Sequence, residues 1–172
     1  DLASLGIGPL DIATVLCTHL HFDHVGWNTP LVDGHWVPTF PKARYLFSRK
    51  EYDHWQMLRA TGGYHAVNHL SDSVDPVVAA GLVDFIPHDH AISEEIRLFS
   101  TPGHTPGHVS VHITSQGQQA VITGDMMHHP IQVAMPGHPA TFDMDKPTGA
   151  RNRVEFVNRF QDQPVLVIGS HF

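Results

Sequence analysis

The apolar positions fall into short runs and alternations that predict strands, with a few helices between them. Ile12-Ala13-Thr14-Val15-Leu16-Cys17 is a near-continuous apolar run, the pattern of a buried strand. Residues 43–47, 82–86, 96–101 and 120–124 read as further strands, and Val165-Leu166-Val167-Ile168 is wholly apolar. Val109, Val111 and Ile113 alternate with Ser110, His112 and Thr114, the period of a half-buried strand. His108 and His112 then fall on its polar face, as structural or solvated histidines. Ser48-Arg49-Lys50-Glu51 matches a capping box, so a helix starts there. Tyr52, Trp55 and Leu58 give that helix one apolar face, and Gly62-Gly63 ends it. A second helix opens at Asp75-Pro76 and closes at Gly81; a third opens at Thr148 and carries Val154, Val157 and Phe160 on one side. Residues 2–5 read as the tail of a short helix stopped by Gly6. Residues 27–41 and 126–146 are proline-containing loops. Residues 1–172 are expected to form a single mixed α/β (α+β) domain without internal repeats.

The first strand runs into Thr18-His19-Leu20-His21-Phe22-Asp23-His24. In extended backbone alternate side chains share a face, so His19 and His21 can reach one point. Asp23 and His24 follow where Gly26 and Asn28 predict a turn, and can face a second point nearby. Imidazole and carboxylate are ligands that a borderline divalent ion such as zinc prefers. Later strands also end in candidate ligands. Thr101-Pro102-Gly103-His104-Thr105-Pro106-Gly107-His108 predicts a rigid turn presenting His104. Asp125 follows Gly124 at one strand end, and His171 follows Gly169-Ser170 at the last. Five histidines and two aspartates suit two metal ions with one carboxylate shared. His88-Asp89-His90 has polar flanks and no partner cluster, and reads as a solvated turn.

Composition narrows the classes. The chain has 172 residues, 41% hydrophobic and 16% charged, enough to bury a core. Its net charge of −7 offers no footprint for nucleic acid or an anionic membrane. No apolar run approaches the ~20 residues that span a bilayer. The one cysteine, Cys17, excludes an intrachain disulfide and reads as a small buried residue. The chain starts without Met, as if in mid-domain, and stops abruptly after its last strand. It is therefore expected to be an internal fragment, with no reading of its compartment.

HLHFDH at 19–24, TPGHTPGH around His104, Gly124-Asp125 and Gly169-Ser170-His171 together resemble the metallo-β-lactamase superfamily, in that family's order. The resemblance covers nearly the whole chain from residue 10. It implies a four-layer αββα sandwich, here lacking N-terminal strands and the C-terminal tail. It also implies two divalent ions, zinc first, with manganese, cobalt or iron accepting the same donors. By motif position one metal takes His19, His21 and His104; the other takes Asp23, His24 and His171; Asp125 bridges them. The stretches 18–26 and 124–132, and Phe142-Asp143-x-Asp145 before Arg151 and Arg153, look most like the branch of quorum-quenching lactonases and methyl-parathion-hydrolase-like phosphotriesterases.

Two such ions bring +4; Asp23, Asp125 and a bridging hydroxide bring −3. The site would stay positive and attract a carbonyl or phosphoryl oxygen, with a nucleophile available near neutral pH. Asp23 or Asp125 is a candidate proton shuttle. His128, three residues after Asp125, sits where related lactonases touch substrate; it either donates a proton there or is a loop histidine without a role. Thr123 and Ser170 flank ligands and can bond them. Trp27, Trp36, Met126, Met127 and Met135 are either pocket walls or core. The expected reaction opens a small lactone or ester, N-acyl homoserine lactone-like, or a phosphotriester. A small molecule is the expected partner, with a homodimer compatible and neither nucleic acid nor membrane. A glyoxalase II-type thioesterase would need cations, for which only Lys42, Arg44, Arg49 and Lys50 are available. A β-lactamase shares the metal motif, and a metal-binding fragment without turnover is the non-enzyme alternative.

Overall fold

A computed structural model describes residues 2–63 and 67–172. The chain divides into two units: Asp1–Phe47 with Tyr52–Ile86, and Ser48–Glu51 with Pro87–Phe172.

The first unit begins with a 3-10 turn, Leu2–Leu5, ended by Gly6 at φ +72°. β1 (Thr14–Cys17) follows and feeds α1 (Phe22–Val25). The loop expected over 27–41 in fact contains a hairpin, β2 (Leu31–Val32) and β3 (His35–Trp36). Asp33 and Gly34 turn it with φ of +49° and +79°, and Asp-Gly favours this two-residue turn. The neighbouring prolines masked that signal. β4 (Arg44–Ser48) pairs parallel with β1, and β5 (Val83–Ile86) completes the order β1-β4-β5. A central strand buried on both faces needs a continuous apolar run. Tyr45, Leu46 and Phe47 supply it.

α2 (Arg49–Ala60) starts where the sequence predicts, for a different reason. Ser48 Oγ is buried without a hydrogen-bond partner, and the Glu51 carboxylate accepts from Gly107 N at 2.9 Å. The capping box is therefore not formed; the first turn is held by tertiary contact instead. Trp55 is fully buried, with Tyr52 and Leu58 packed beside it against Leu70, Val74 and Val77. Those come from α3 (His69–Ser73), which the sequence pattern did not reveal, and α4 (Asp75–Ala79).

The second unit is a four-stranded sheet in the order β6 (Ile96–Ser100), β7 (Val109–Ser115), β8 (Gln118–Ile122), β9 (Val165–Ile168). The first two pairings are antiparallel and β8–β9 is parallel. The long connection after β8 contains a 3-10 turn, Gly124–Met126, and α5 (Ile131–Ala134). α6 (Lys146–Phe160) then leads back to β9. It begins two residues before Thr148. Asp145 is its N-cap and accepts from Thr148 N at 3.1 Å, and Pro147 suits the first turn. Phe156 and Phe160 bury the apolar face of α6 against Val121, Met126 and Met127. No helix among the described residues is long and apolar enough to cross a membrane.

A Cβ on Gly107 would overlap the backbone of Glu51. Gly107→Ala should therefore cost about 3 kcal/mol as overpacking, lowering the melting temperature by roughly 6–12 °C in a thermal scan. The Thr148 hydroxyl and amide hold the Asp145 carboxyl below the usual carboxylate range. A depressed folded pKa adds stability above the ordinary value of about 3.9 and loses it as pH falls through the lower one. Asp145→Ala should thus melt earlier than the parent at pH 7, and the gap should close in acid.

Candidate metal-binding residues

In the first unit, β1 leads into four candidate ligands; it is not the buried strand expected, since Thr14 is exposed, Val15 and Leu16 are half-buried and only Cys17 is buried. His19 is fully buried and its ring lies 4.7 Å from that of His21 and 4.2 Å from that of His24. The ligand atoms of His19 and His21 lie within 4.8 Å of each other, as do those of Asp23 and His24. His24 Nε2 is 3.6 Å from Asp23 Oδ2. The expected clustering of these four is therefore present within the unit.

Two aromatic neighbours set the segment. Trp55 meets His21 edge-on at 5.1 Å and His69 at 5.3 Å. His69 Nε2 donates to the Leu20 carbonyl at 2.8 Å, pinning the residue between His19 and His21. Burial holds the His69 pKa below its ordinary value, favouring this neutral form. His69 lies outside every motif, and only its fold position reveals this contact. Cys17 sits under the segment, its thiol pushed up to about 12 by burial, which leaves it inert. Trp27 and Trp36 are exposed, so neither is core.

In the second unit three imidazoles converge on one carboxylate. Asp125 Oδ2 has His171 Nε2 at 3.0 Å, His128 Nε2 at 3.2 Å and His104 Nε2 at 3.4 Å. Asp125 is buried, and lies in the 3-10 turn after β8 rather than at a strand end. His128 stacks on His171 at 5.1 Å with planes 13° apart. His104 is presented as expected. Gly103 takes φ +135° and passes so close to Gly149 of α6 that a Cβ on Gly103 would overlap the Gly149 backbone. The turn is then held by Met144 N and Asp145 N, which donate to the His104 and Gly103 carbonyls at 3.2 and 2.9 Å.

The structure also places the remaining residues singled out in the sequence. His108 is fully buried and accepts from Asp125 N at 2.9 Å, so it is not on a solvated face. His112 bonds Gln119 Oε1 at 2.9 Å. The Thr123 hydroxyl donates to the Gly124 carbonyl, Ser170 is exposed, and neither has a hydrogen bond to a ligand side chain. His88 and Asp89 are exposed in a turn. Met126 and Met127 are core; Met135 is exposed.

Beside His128 is a cavity of 310 Å³ lined by Ile131, Gln132, Met135, Ala140 and Phe142. Its wall is anchored from beneath. Arg153, fully buried, pairs with Asp143 at 2.8 Å and donates to the Met126 and His138 carbonyls at 3.3 Å. One guanidinium thus ties the loop to the turn carrying Asp125.

The sequence profile of the metallo-beta-lactamase superfamily matches residues 1–168. An N-acyl homoserine lactonase of Bacillus thuringiensis is 24% identical over 169 residues, covering 98% of this chain and 59% of the relative. The hydrolase AbOPH, described as in the beta lactamase superfamily, superposes with TM-score 0.84 at 25% identity, over 99% of this chain and 60% of its own. AidC, described as a dizinc quorum-quenching lactonase, superposes with TM-score 0.78 at 21% identity, again over 99% and 60%. The chain spans 40–59% of the length of the first curated lactonases it matches.

Removing one partner of a buried ion pair strands the other charge, at a cost of about 3–5 kcal/mol. Asp143→Ala should lower the melting temperature by roughly 10 °C in calorimetry. A shift under ~2 °C would mean that Arg153 does not depend on this pairing.

Proposed function

Since the chain belongs to the metallo-beta-lactamase superfamily, we propose that it carries the site of a dinuclear metallohydrolase that opens a small lactone or ester. The convergence of His104, His128 and His171 on the buried Asp125 carboxylate is the observation that carries this reading. A concentration of imidazole nitrogens around a carboxylate is the donor set that suits a divalent ion, zinc first. By motif position one ion would be held by His19, His21 and His104, the other by Asp23, His24 and His171, and both by Asp125. Such ions, when bound, polarise the substrate oxygen and lower the pKa of water from ~16 to about 7.

The remaining roles fall to the chain's own groups. Asp23 has an exposed side chain beside His24, and with Asp125 is the candidate to accept and pass on a proton. His128 Nε2 is the candidate to hydrogen-bond the carbonyl oxygen or protonate the leaving alkoxide. It borders both Asp125 and the cavity. Ile131, Met135, Ala140 and Phe142 make that cavity largely apolar, which favours a substrate with an apolar arm, as in an N-acyl homoserine lactone. A phosphotriester is the second reading, supported by the likeness to AbOPH. A glutathione thioester is disfavoured, because Arg44 is committed to Asp84 at 2.5 Å and to the Gly81 and Val83 carbonyls.

The test is metal content by elemental analysis alongside hydrolysis of an acyl lactone and a phosphotriester. About two metals per chain are expected with lactone turnover. His19→Ala and Asp125→Ala should lose metal and reduce turnover at least ~100-fold, while His128→Ala keeps metal and loses ~10–100-fold in turnover. Two metals with phosphotriester turnover alone would move the substrate; two metals with no turnover would favour a binding piece. A folded chain with almost no metal would overturn the dinuclear site.

A further inference from the structure

Asp125 sits in a turn whose shape is set by a chain of side-chain hydrogen bonds that the proposed chemistry does not use. The Asp125 amide can only donate, and it points at His108 Nε2 at 2.9 Å. Nε2 must therefore carry no proton, and the neutral ring carries its proton on Nδ1. Nδ1 lies 2.8 Å from Thr101 Oγ1, which is 2.9 Å from Ser110 Oγ. Ser110 Oγ lies 2.8 Å from the Thr123 carbonyl.

The same direction follows from the other end. A carbonyl can only accept, so Ser110 donates to Thr123 and must accept from Thr101. Thr101, its proton spent on Ser110, must accept from His108 Nδ1–H. Both fixed ends demand one tautomer, and every bond in the relay is satisfied with it. All five residues are buried, so no water competes for these groups.

The relay starts and ends on the same turn. Its ends, the Thr123 carbonyl and the Asp125 amide, flank Gly124, which adopts φ +55°. The loop of side chains therefore clamps Gly124, a residue whose rotation would redirect the Asp125 carboxylate. His108 has both nitrogens committed and none left for a metal.

We propose that His108, locked in the Nδ1–H tautomer by Thr101 and Ser110, is a positioning residue that fixes the Asp125 turn and so the aim of its carboxylate. The claim rests on the reading of Asp125 as a metal ligand, and its test separates the two. In the full chain, nitrogen-15 correlation spectra of the metal-free protein should show His108 protonated at Nδ1 and bare at Nε2. The Asp125 amide proton should be shifted downfield and slow to exchange. Zinc affinity, by chelator competition, should fall about 10–100-fold in His108→Leu, which keeps bulk but removes the acceptor. His108→Gln can present its Oε1 to the same amide and should recover affinity to within about threefold of the parent. Thr101→Val leaves the ring in place but frees its tautomer, and should lower zinc affinity and admit the Nε2–H form. It also carries the test if His108→Leu fails to fold.

A ring protonated at Nε2 in the parent would overturn the proposal. So would a folded His108→Leu chain with the parent's zinc affinity, or His108→Gln and His108→Leu losing affinity equally at equal melting temperature. If the parent chain binds no zinc, the metal reading fails by itself. The positioning claim is then decided by the Asp125 amide, whose downfield shift must disappear in His108→Leu.

Discussion

A buried carboxylate is the constraint on which the second unit turns. A carboxylate taken out of water is costly unless donors surround it, and Asp125 is 2% exposed. Three imidazoles meet one of its oxygens, and a fourth, from His108, meets its amide. They arrive from three pieces of chain: His104 and His108 from the Pro-Gly turn, His128 from the loop after Asp125 and His171 from the end of β9. The sheet, β6 to β9, brings those pieces together, so the site is a property of the strand order rather than of any single motif.

Glycines and one guanidinium make that convergence tight. Gly103 and Gly149 let the His104 turn press against α6, and a Cβ on Gly149 would also strike the Asp143 carboxylate. Helix propensity alone favours alanine over glycine by about 1 kcal/mol. A buried ion pair at stake is worth more than that, which explains a glycine inside α6. Arg153 then spans from Asp143 to the Met126 carbonyl, next to Asp125. The turn that carries Asp125 and the cavity wall thus share one buried guanidinium.

The candidate site was largely legible because ligands occur in local patterns. His19 and His21 alternate along extended backbone, and Pro-Gly pairs announce the turn at His104. The longer strands were legible from apolar runs, with end errors of a few residues, but the short hairpin β2–β3 was not. What was not legible is what depends on contacts across sequence. His108 precedes β7 instead of belonging to it, so strand alternation left open whether it was structural or solvated; it is structural and fully buried. Thr101 and Ser110 were its only clue, as polar residues amid apolar strands. The Ser48–Glu51 pattern located a helix start whose glutamate is in fact bound by Gly107. His69 lies in a short helix with no periodic signature.

Cys17 has a consequence beyond its own inertness. Burial pushes its thiol up to about 12, so the protonated, weakly nucleophilic form is favoured at neutral pH. It is the only cysteine in the chain, so no soft thiolate competes with nitrogen and oxygen donors for an incoming ion. Nitrogen and oxygen donors accept several first-row divalent metals, and availability as well as affinity decides which one is bound. An ion held at the proposed site would then report the growth medium as well as the fold.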